Sequence, residues 1–408
     1  MTRILHTSDW HLGVSLDTVS REPDHSLFLD WLATTLTERK VDVLIIAGDI
    51  FDQAVPSSEA QRLYYRFLHR VAPSCVRQVV VIGGNHDSAT RLEAPEALLG
   101  AFAVHVVGGL GSSAEDSLDR HVVPVRNAAG EVESVILAIP YVHEYRVGVR
   151  AAFSDNVDLG KLLRDGFSSL YTRVVDRALA LYGNVPLVAT GHMACLGSER
   201  GDAPIDLHLI GTLGALPPSI FDPRLQYVAL GHIHRGFRVG SSRAWYSGTP
   251  IPLNAKESQT PRRVLLVDTQ AGEAAEPLVE SLQVPEFRQI LALDGTPEEL
   301  TVQLRKLTWS TPLPPLVQVV ARVPSFLPGI AHELTMATPA GAQIVKFSQQ
   351  RMAAEEVIDA APVRQLSDLD PEEVFRRLCR ARNEPVDDAL LTAFHGLLGD
   401  YETTEPSL

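Results

Sequence analysis

Cysteine is almost missing from this chain: three in 408 residues, Cys75, Cys195 and Cys379, far apart and in no Cys-x-x-Cys pair. That scarcity argues against a disulfide framework and a thiolate zinc site, so any metal here would be held by oxygen and nitrogen. No run of eighteen apolar residues occurs, and the opening "MTRILHTSDW" enters a strand-like segment without a basic-then-apolar leader. Neither a membrane span nor a secretory signal is therefore expected, and the predicted location is cytoplasmic. No Gly-x-x-x-x-Gly-Lys-Ser/Thr is present, so the chain is not expected to hydrolyse ATP itself. Positive charge is also short, with 36 Lys and Arg against 50 Asp and Glu and a net charge of −14. A broad polyanion-binding surface is disfavoured by that balance, although a small basic strip can sit on an acidic protein.

What is present is an ordinary globular composition, long enough for two or three domains. Apolar runs alternate with helical patterns through the first two thirds, the signature of α/β layering. "RILHTSD" precedes a helical "HSLFLDWLATTLTER", then come "VDVLIIAGD", "SEAQRLYYRFLHRV" and "RQVVVIGGNHD". Later runs are "VESVILAIPY", a helical segment from about Leu159 to Tyr182, "VPLVATGHM", "LQYVALGHIH" and "RRVLLVDT". Because the runs are continuous rather than alternating, their strands should be covered on both faces. After about Pro277, "FRQILALDG", "PEELTVQLRKL", "PPLVQVVARV" and "AQIVKFS" read as a small α+β unit. The division expected is thus 1–276, 277–350 and 351–408. In the last part Asp370-Pro371-Glu372-Glu373 reads as a helix start, with Asp at N-cap, Pro at N1 and Glu at N3. A second helix after Pro385 carries Leu390, Leu391, Phe394, Leu397 and Leu398 on one face. Two short amphipathic helices with no core of their own nearby suit a helix-in-groove contact with a partner.

Five apolar runs end in side chains able to bind metal: Asp9-Trp10-His11, Gly48-Asp49, Asn85-His86-Asp87, Gly191-His192 and His232-Ile233-His234. Residues i and i+2 of an extended chain point the same way, so Asp9 with His11 and His232 with His234 can each converge. Ligands of open α/β sheets sit beyond the carboxyl ends of the strands. Any one of these motifs alone is more often structural, and a lone Gly-Asp is usually a turn. Five in one α/β region are a different matter. Two aspartates, an asparagine and four histidines supply the donors for two divalent ions bridged by one carboxylate, a pair that clamps a phosphoryl group and provides a nucleophile near neutral pH.

The ordered set "SDWH", "GDIFD", "GNHD", "GHM" and "GHIH" resembles the calcineurin-like metallophosphoesterases, and "DWHLG", "GNHDSATRLEA", "ALGHIHRGFRVGSSRAWYSGTPIPL" and "DPEEVFRRLCRAR" are similar to the SbcD nuclease branch of that family. The resemblance implies a four-layer α/β/β/α sandwich, a small capping domain that binds DNA and a C-terminal helical tail that binds the ATPase SbcC. It implies one metal on Asp9, His11, Asp49 and His234 and a second on Asp49, Asn85, His192 and His232, usually Mn2+. His86 would protonate the leaving oxygen, Asp87 would tie down its loop, and Asp52 would stand at the rim of the active site. The preceding glycines, Gly83 and Gly84, would let the backbone turn sharply. Where the branch has Ser-Phe-Ser after "PIPL", this chain has Asn254-Ala255-Lys256. The implied activity is a 3′ to 5′ exonuclease on duplex ends and an endonuclease on single strands and hairpins. It would act in break repair, replication and recombination, near the nucleoid, in a complex of two copies of each subunit.

Two other functions compete with this one. A phosphatase or small-molecule phosphodiesterase on the same scaffold is disfavoured by "GDIFDQA" and "GNHD", where protein phosphatases have "GDxVDRG" and "GNHE". A scaffold whose metal site has decayed is disfavoured by the complete donor set with His86. Among the remaining histidines, His6, His25 and His143 lack a partner motif and read as packing or surface residues. Trp10 and Trp245 read as core, while Arg91, Arg235, Arg238 and Lys256 could line a phosphate track or simply be solvated.

Overall fold

The computed structural model describes residues 1–111, 118–147, 158–195, 215–270, 275–351, 370–381, 386 and 390–395. Two six-stranded mixed sheets organise its first unit. One runs Leu278–Gln283, Arg263–Asp268, Arg3–Thr7, Val43–Ala47, Gln78–Ile82, Val104–Val107, with the last four strands parallel. The other runs Phe237–Arg238, Ala244–Tyr246, Tyr227–Gly231, Leu187–His192, Val132–Leu137, Val122–Arg126, parallel through its four central strands.

Alternate residues of each strand face opposite ways, and both sets are apolar. Val43, Ile45 and Ala47 join Val80 and Ile82 in a cluster completed by Ile136, Val188 and Ala229 of the other sheet, so the two sheets pack directly. Leu44 and Ile46 face the other way, onto Phe28, Leu32 and Leu36 of the helix Glu22–Glu38 and Leu63 and Phe67 of Ser58–Val71. The second sheet turns Leu137, Ala189 and Leu230 onto Phe167, Tyr171 and Val174 of the helix Leu159–Tyr182. This two-sided burial is why the runs read as continuous. Trp10 lies in the first of these cores, fully buried, with its indole N–H donated to Thr7 Oγ1 at 3.0 Å.

The third sheet holds three parallel strands, Ile290–Gly295, Leu316–Val323 and Gln343–Arg351, joined through the helices Pro297–Arg305 and Ile330–Ala337. The unit expected as α+β is therefore a parallel α/β one. Its second helix is invisible to pattern reading: it is eight residues long, buries Ile330 and Leu334, and starts from a left-handed Gly329 without a side-chain cap. The strand Leu278–Gln283 also falls past the expected boundary at 276, yet it pairs along its whole length with Arg263–Asp268. The first sheet accordingly extends to Gln283.

A buried ion cluster joins this small sheet to the larger ones. Asp24 accepts from Arg21 Nη2 at 2.9 Å and from Arg288 Nε at 3.0 Å, while Arg21 Nη1 and Arg288 Nη1 reach the carbonyls of Pro252 and Pro314. All three charged side chains are buried. The C-terminal unit, described by itself, contains the helix Pro371–Ala381 with Glu372 N–H donated to the Asp370 carboxylate, as its start pattern predicts. Phe375 stacks on Phe394 at 4.2 Å between ring centroids. Leu397, Leu398 and Arg382 lie outside the described residues. Among the described residues no helix is long and apolar enough to cross a membrane.

Burial makes two of these features testable. Asp24→Ala would leave two guanidinium groups buried without their counter-charge, and urea unfolding should show a loss of about 3–5 kcal/mol; a loss below about 1 kcal/mol would mean that carbonyls suffice to hold the arginines. His6 and His25 are kept neutral in the folded chain, because burial drives His6 down to about 3 and His25 to about 4. The unfolded chain takes up those protons near pH 6.5, so this stability is complete above that pH and is lost progressively as pH falls toward 4 and then 3. His6→Gln should reduce the fall in stability between pH 7 and pH 5 by on the order of 2 kcal/mol. An unchanged fall would show that folded His6 carries a proton.

Candidate metal centre

The carboxyl ends of five parallel strands, three from the first sheet and two from the second, meet at one end of the packed sheets. Arg3–Thr7 leads to Asp9 and His11, Val43–Ala47 to Asp49, and Gln78–Ile82 to Asn85 and His86; Leu187–His192 ends on its own histidine, and Tyr227–Gly231 leads to His232 and His234. Every one of these side chains comes into one cluster. His11 Nε2 lies 3.2 Å from His234 Nε2 and 3.6 Å from Asp49 Oδ2, and His192 Nε2 lies 3.3 Å from that same oxygen. Asn85 Oδ1 stands 3.1 Å from His192 Nε2 and 3.0 Å from His232 Nδ1. Three overlapping sets of donors lie within 4.8 Å of one another: Asp9, His11 and His234; Asp9, Asp49 and His192; His11, Asp52 and His86.

The convergence has a different cause from strand alternation. Asp9 (φ 52°), His11 (φ 48°), Asp49 (φ 49°) and His232 (φ 97°) all sit in left-handed backbone just past the strand ends. Such residues are uncommon without glycine and cluster where surrounding bonds over-determine them. Here Asp9 N–H and His11 N–H donate to the carbonyls of Gly48 and Asp49, and His232 N–H donates to Asp9 Oδ1 at 2.8 Å. The glycines before Asn85 also act otherwise than expected. Neither Gly83 nor Gly84 has a positive φ; a Cβ on Gly84 would instead stand 2.1 Å from Asp49 Oδ1, and one on Gly83 2.2 Å from the Gly108 carbonyl. Close approach, rather than a sharp turn, requires them. Asp87 accepts from the backbone N–H groups of Ile50, Phe51 and Gly84, tying its loop to the one that carries Asp49.

Polar groups behind the donors fix their orientation. His192 Nδ1 is 2.9 Å from the Ala47 carbonyl, which makes that nitrogen an N–H and turns Nε2 toward the cluster. His234 Nδ1 lies 3.1 Å from Glu257 Oε1, and Glu257 is held by Asn254 Nδ2 at 2.8 Å and Leu253 N–H at 3.0 Å. Glu257 is the site-associated residue that sequence reading missed; an Asn-x-x-Glu pattern around it signals a turn, and nothing in the sequence points it at His234. His86 Nδ1 is 2.8 Å from the Asp52 carbonyl, and its backbone N–H donates to Asp49 Oδ1 at 2.9 Å. Asp52 is partly exposed, with a carboxylate oxygen 3.4 Å from His11 Nδ1. Arg238 packs over Trp245 and pairs with Glu276, contacts that hold it outside the donor cluster.

The electrostatics follow from carboxylates and imidazoles sharing a buried space. Burial works against the Asp49 anion, but His192, His11 and the His86 N–H outweigh it and hold the carboxyl well below the usual range. Burial likewise opposes the His192 cation, yet Asp49 and Asp9 raise it to about 9. His232, buried beside His192, is lowered to about 4; His234 is raised, its burial outweighed by Glu257 and Asp9. The donor set fits a divalent metal of the borderline kind, being all imidazole, carboxylate and amide with no thiolate. Buried His11 Nδ1 makes no hydrogen bond, the Asp52 carboxylate standing 3.4 Å away, while its Nε2 faces the donors.

Residues 2–236 match the calcineurin-like phosphoesterase family. This chain belongs to that family. Residues 286–383 match a second family, the type 5 capsule protein repressor C-terminal domain. The chain is 32% identical over 413 residues to the SbcD component of the SbcCD nuclease of Escherichia coli K12, covering 98% of this chain and 100% of that one. It is 40% identical over 298 residues to the protein of the same name from Rhodobacter capsulatus, 72% of each. The Bacillus subtilis protein of that name is 32% identical over 277 residues, 67% of this chain and 68% of that one. The likeness to the Escherichia coli protein over nearly the whole length makes the chain a nuclease of the SbcD type, a phosphoesterase hydrolase with histidine and aspartate metal-binding groups.

Glu257→Gln keeps the shape but weakens the hold on His234, and should lower Mn2+ affinity about 10–100-fold by calorimetry with little change in thermal stability. Affinity within twofold of wild type would remove Glu257 from the support of the site.

Proposed function

We propose that this chain is the nuclease component of an SbcCD-type complex and cuts DNA phosphodiesters with two divalent ions, most simply Mn2+. The observation that carries this reading is the meeting of seven donor side chains from five strand ends, with the buried Asp49 carboxylate among them and the other six around it. In this proposal Asp9, His11 and His234 would hold one ion and Asn85, His192 and His232 the other, and Asp49 would serve both. Such a pair, when bound, supplies Lewis-acid activation of a diester phosphate and of the attacking water.

The chain's own residues do the rest. Placing the Nδ1–H of His86 on the Asp52 carbonyl leaves Nε2 as the atom that carries a proton to the leaving oxygen. The Asp52 carboxylate, near His11 Nδ1, steadies that ring and is counted with His86 in the catalytic group. The Ala47 carbonyl and Glu257 hold His192 and His234 in the tautomers a cation needs.

The same proposal takes the finer architecture to be a four-layer α/β/β/α sandwich, followed after Gln283 by a capping domain against DNA. The helices around Pro371–Ala381 would bind the ATPase SbcC, in a complex of two copies of each chain. Substrates would be duplex ends, single strands and hairpins, in repair, replication and recombination, inside the cell near the nucleoid.

End-labelled duplex and hairpin DNA, digested with purified protein and Mn2+ with and without SbcC, tests this reading. Cleavage should fall at least about 100-fold in His86→Ala and vanish in Asp49→Ala. Intact DNA under every condition, with a small phosphodiester still hydrolysed, would replace the nuclease by a phosphodiesterase.

A further inference from the structure

Beside the metal centre runs the stretch Tyr141-Val142-His143-Glu144-Tyr145. It is fastened to the site at its start, where Tyr141 N–H donates to the Gly83 carbonyl at 2.8 Å, two residues before Asn85. Val142 is buried in the core of the second sheet. The three rings form a continuous column instead. Tyr141 meets the His192 ring edge-on at 6.4 Å, His143 meets Tyr141 at 4.9 Å, and Tyr145 lies nearly parallel to His143 at 5.5 Å and 16°. Exposure increases along it: Tyr141 is half-buried, while His143 is exposed and Tyr145 is 49% exposed. Beyond Tyr145 the Arg146 guanidinium lies 5.6 Å from that ring and reaches the Leu110 carbonyl.

We propose that Tyr141, His143 and Tyr145 form a stacking platform for unpaired bases of the nucleic-acid strand whose phosphate enters the metal centre. The inference rests on the nuclease reading and names the part of the substrate that this edge of the site recognises. Three aromatic side chains leading outward from a proposed ligand, exposed at the outer end, suit flat apolar ligands. Stacking is also the form of nucleic-acid affinity least dependent on positive charge, and therefore the one an acidic chain of net charge −14 can provide. Glu144 lies between His143 and Tyr145 and Arg146 follows them, so this edge carries no net positive charge to hold phosphates, and its rings are the groups left to meet bases. Every base has a π-face, so the platform is indifferent to sequence and selects ends whose bases are already unpaired.

The test is a cycle on the full chain: wild type, His143→Leu and Tyr145→Leu, each with a labelled oligothymidylate and with a strand of equal length built wholly from abasic units. Binding is read by fluorescence anisotropy in EDTA, and cleavage by gel in Mn2+. Each variant should raise the Kd for oligothymidylate roughly 5–20-fold and leave the abasic strand within twofold. Equal losses on both strands, or no loss on either, would overturn the platform. A wild type that binds with this base dependence but leaves DNA uncut would sustain the platform and instead count against the nuclease.

Discussion

Everything at the active end of this protein is arranged around one buried carboxylate. Asp49 leaves the strand Val43–Ala47 of the first sheet in a left-handed turn, takes the His86 N–H on one oxygen and faces His11 and His192 with the other. An anion in a dry space is tolerated only with compensation, and the compensation comes from both sheets at once. His192 belongs to the second sheet and is tied by Nδ1 to the first through the Ala47 carbonyl. The direct packing of the sheets and the geometry of the donor cluster are thus one constraint: neither sheet can slide against the other without moving a donor relative to Asp49.

That constraint also explains how much was legible in the sequence. The strands leading to Asp9, Asp49, Asn85, His192 and His232 are buried on both faces, so they read as unbroken apolar runs, and the donors stand directly after them. Less central elements were harder. The strand Val122–Arg126 contains Pro124, which marks an edge position and masks it as a strand. Val104–Val107 is a four-residue edge, and Ile330–Ala337 offers two buried residues and no side-chain cap. In the site itself, residue types were readable because they stand in motifs. The left-handed turns that aim Asp9, His11, Asp49 and His232, and the role of Glu257 behind His234, depend on contacts between segments far apart in the chain, which no local pattern records.

The small parallel sheet depends on similar long-range logic. Arg288, at its start, and Arg21, at the start of the first long helix, share Asp24. A buried carboxylate between two guanidinium groups is directional, and each arginine spends a further donor on a carbonyl. The sheet is consequently mounted through charge rather than through apolar contact alone, with Arg262 nearby donating to the His234 carbonyl. The mounting and the metal centre share a stretch of chain between residues 250 and 262, which includes Glu257.

The left-handed donor residues carry one more consequence. Each holds a conformation that glycine adopts freely and other residues adopt at some cost, aspartate and histidine at less than most. Together they hold backbone conformations that the surrounding contacts must stabilise. The protein maintains its chemistry against its own folding free energy, and a change that relaxed these turns would gain robustness by giving up the site. Selection for thermal endurance alone would be expected to erode this end of the molecule first.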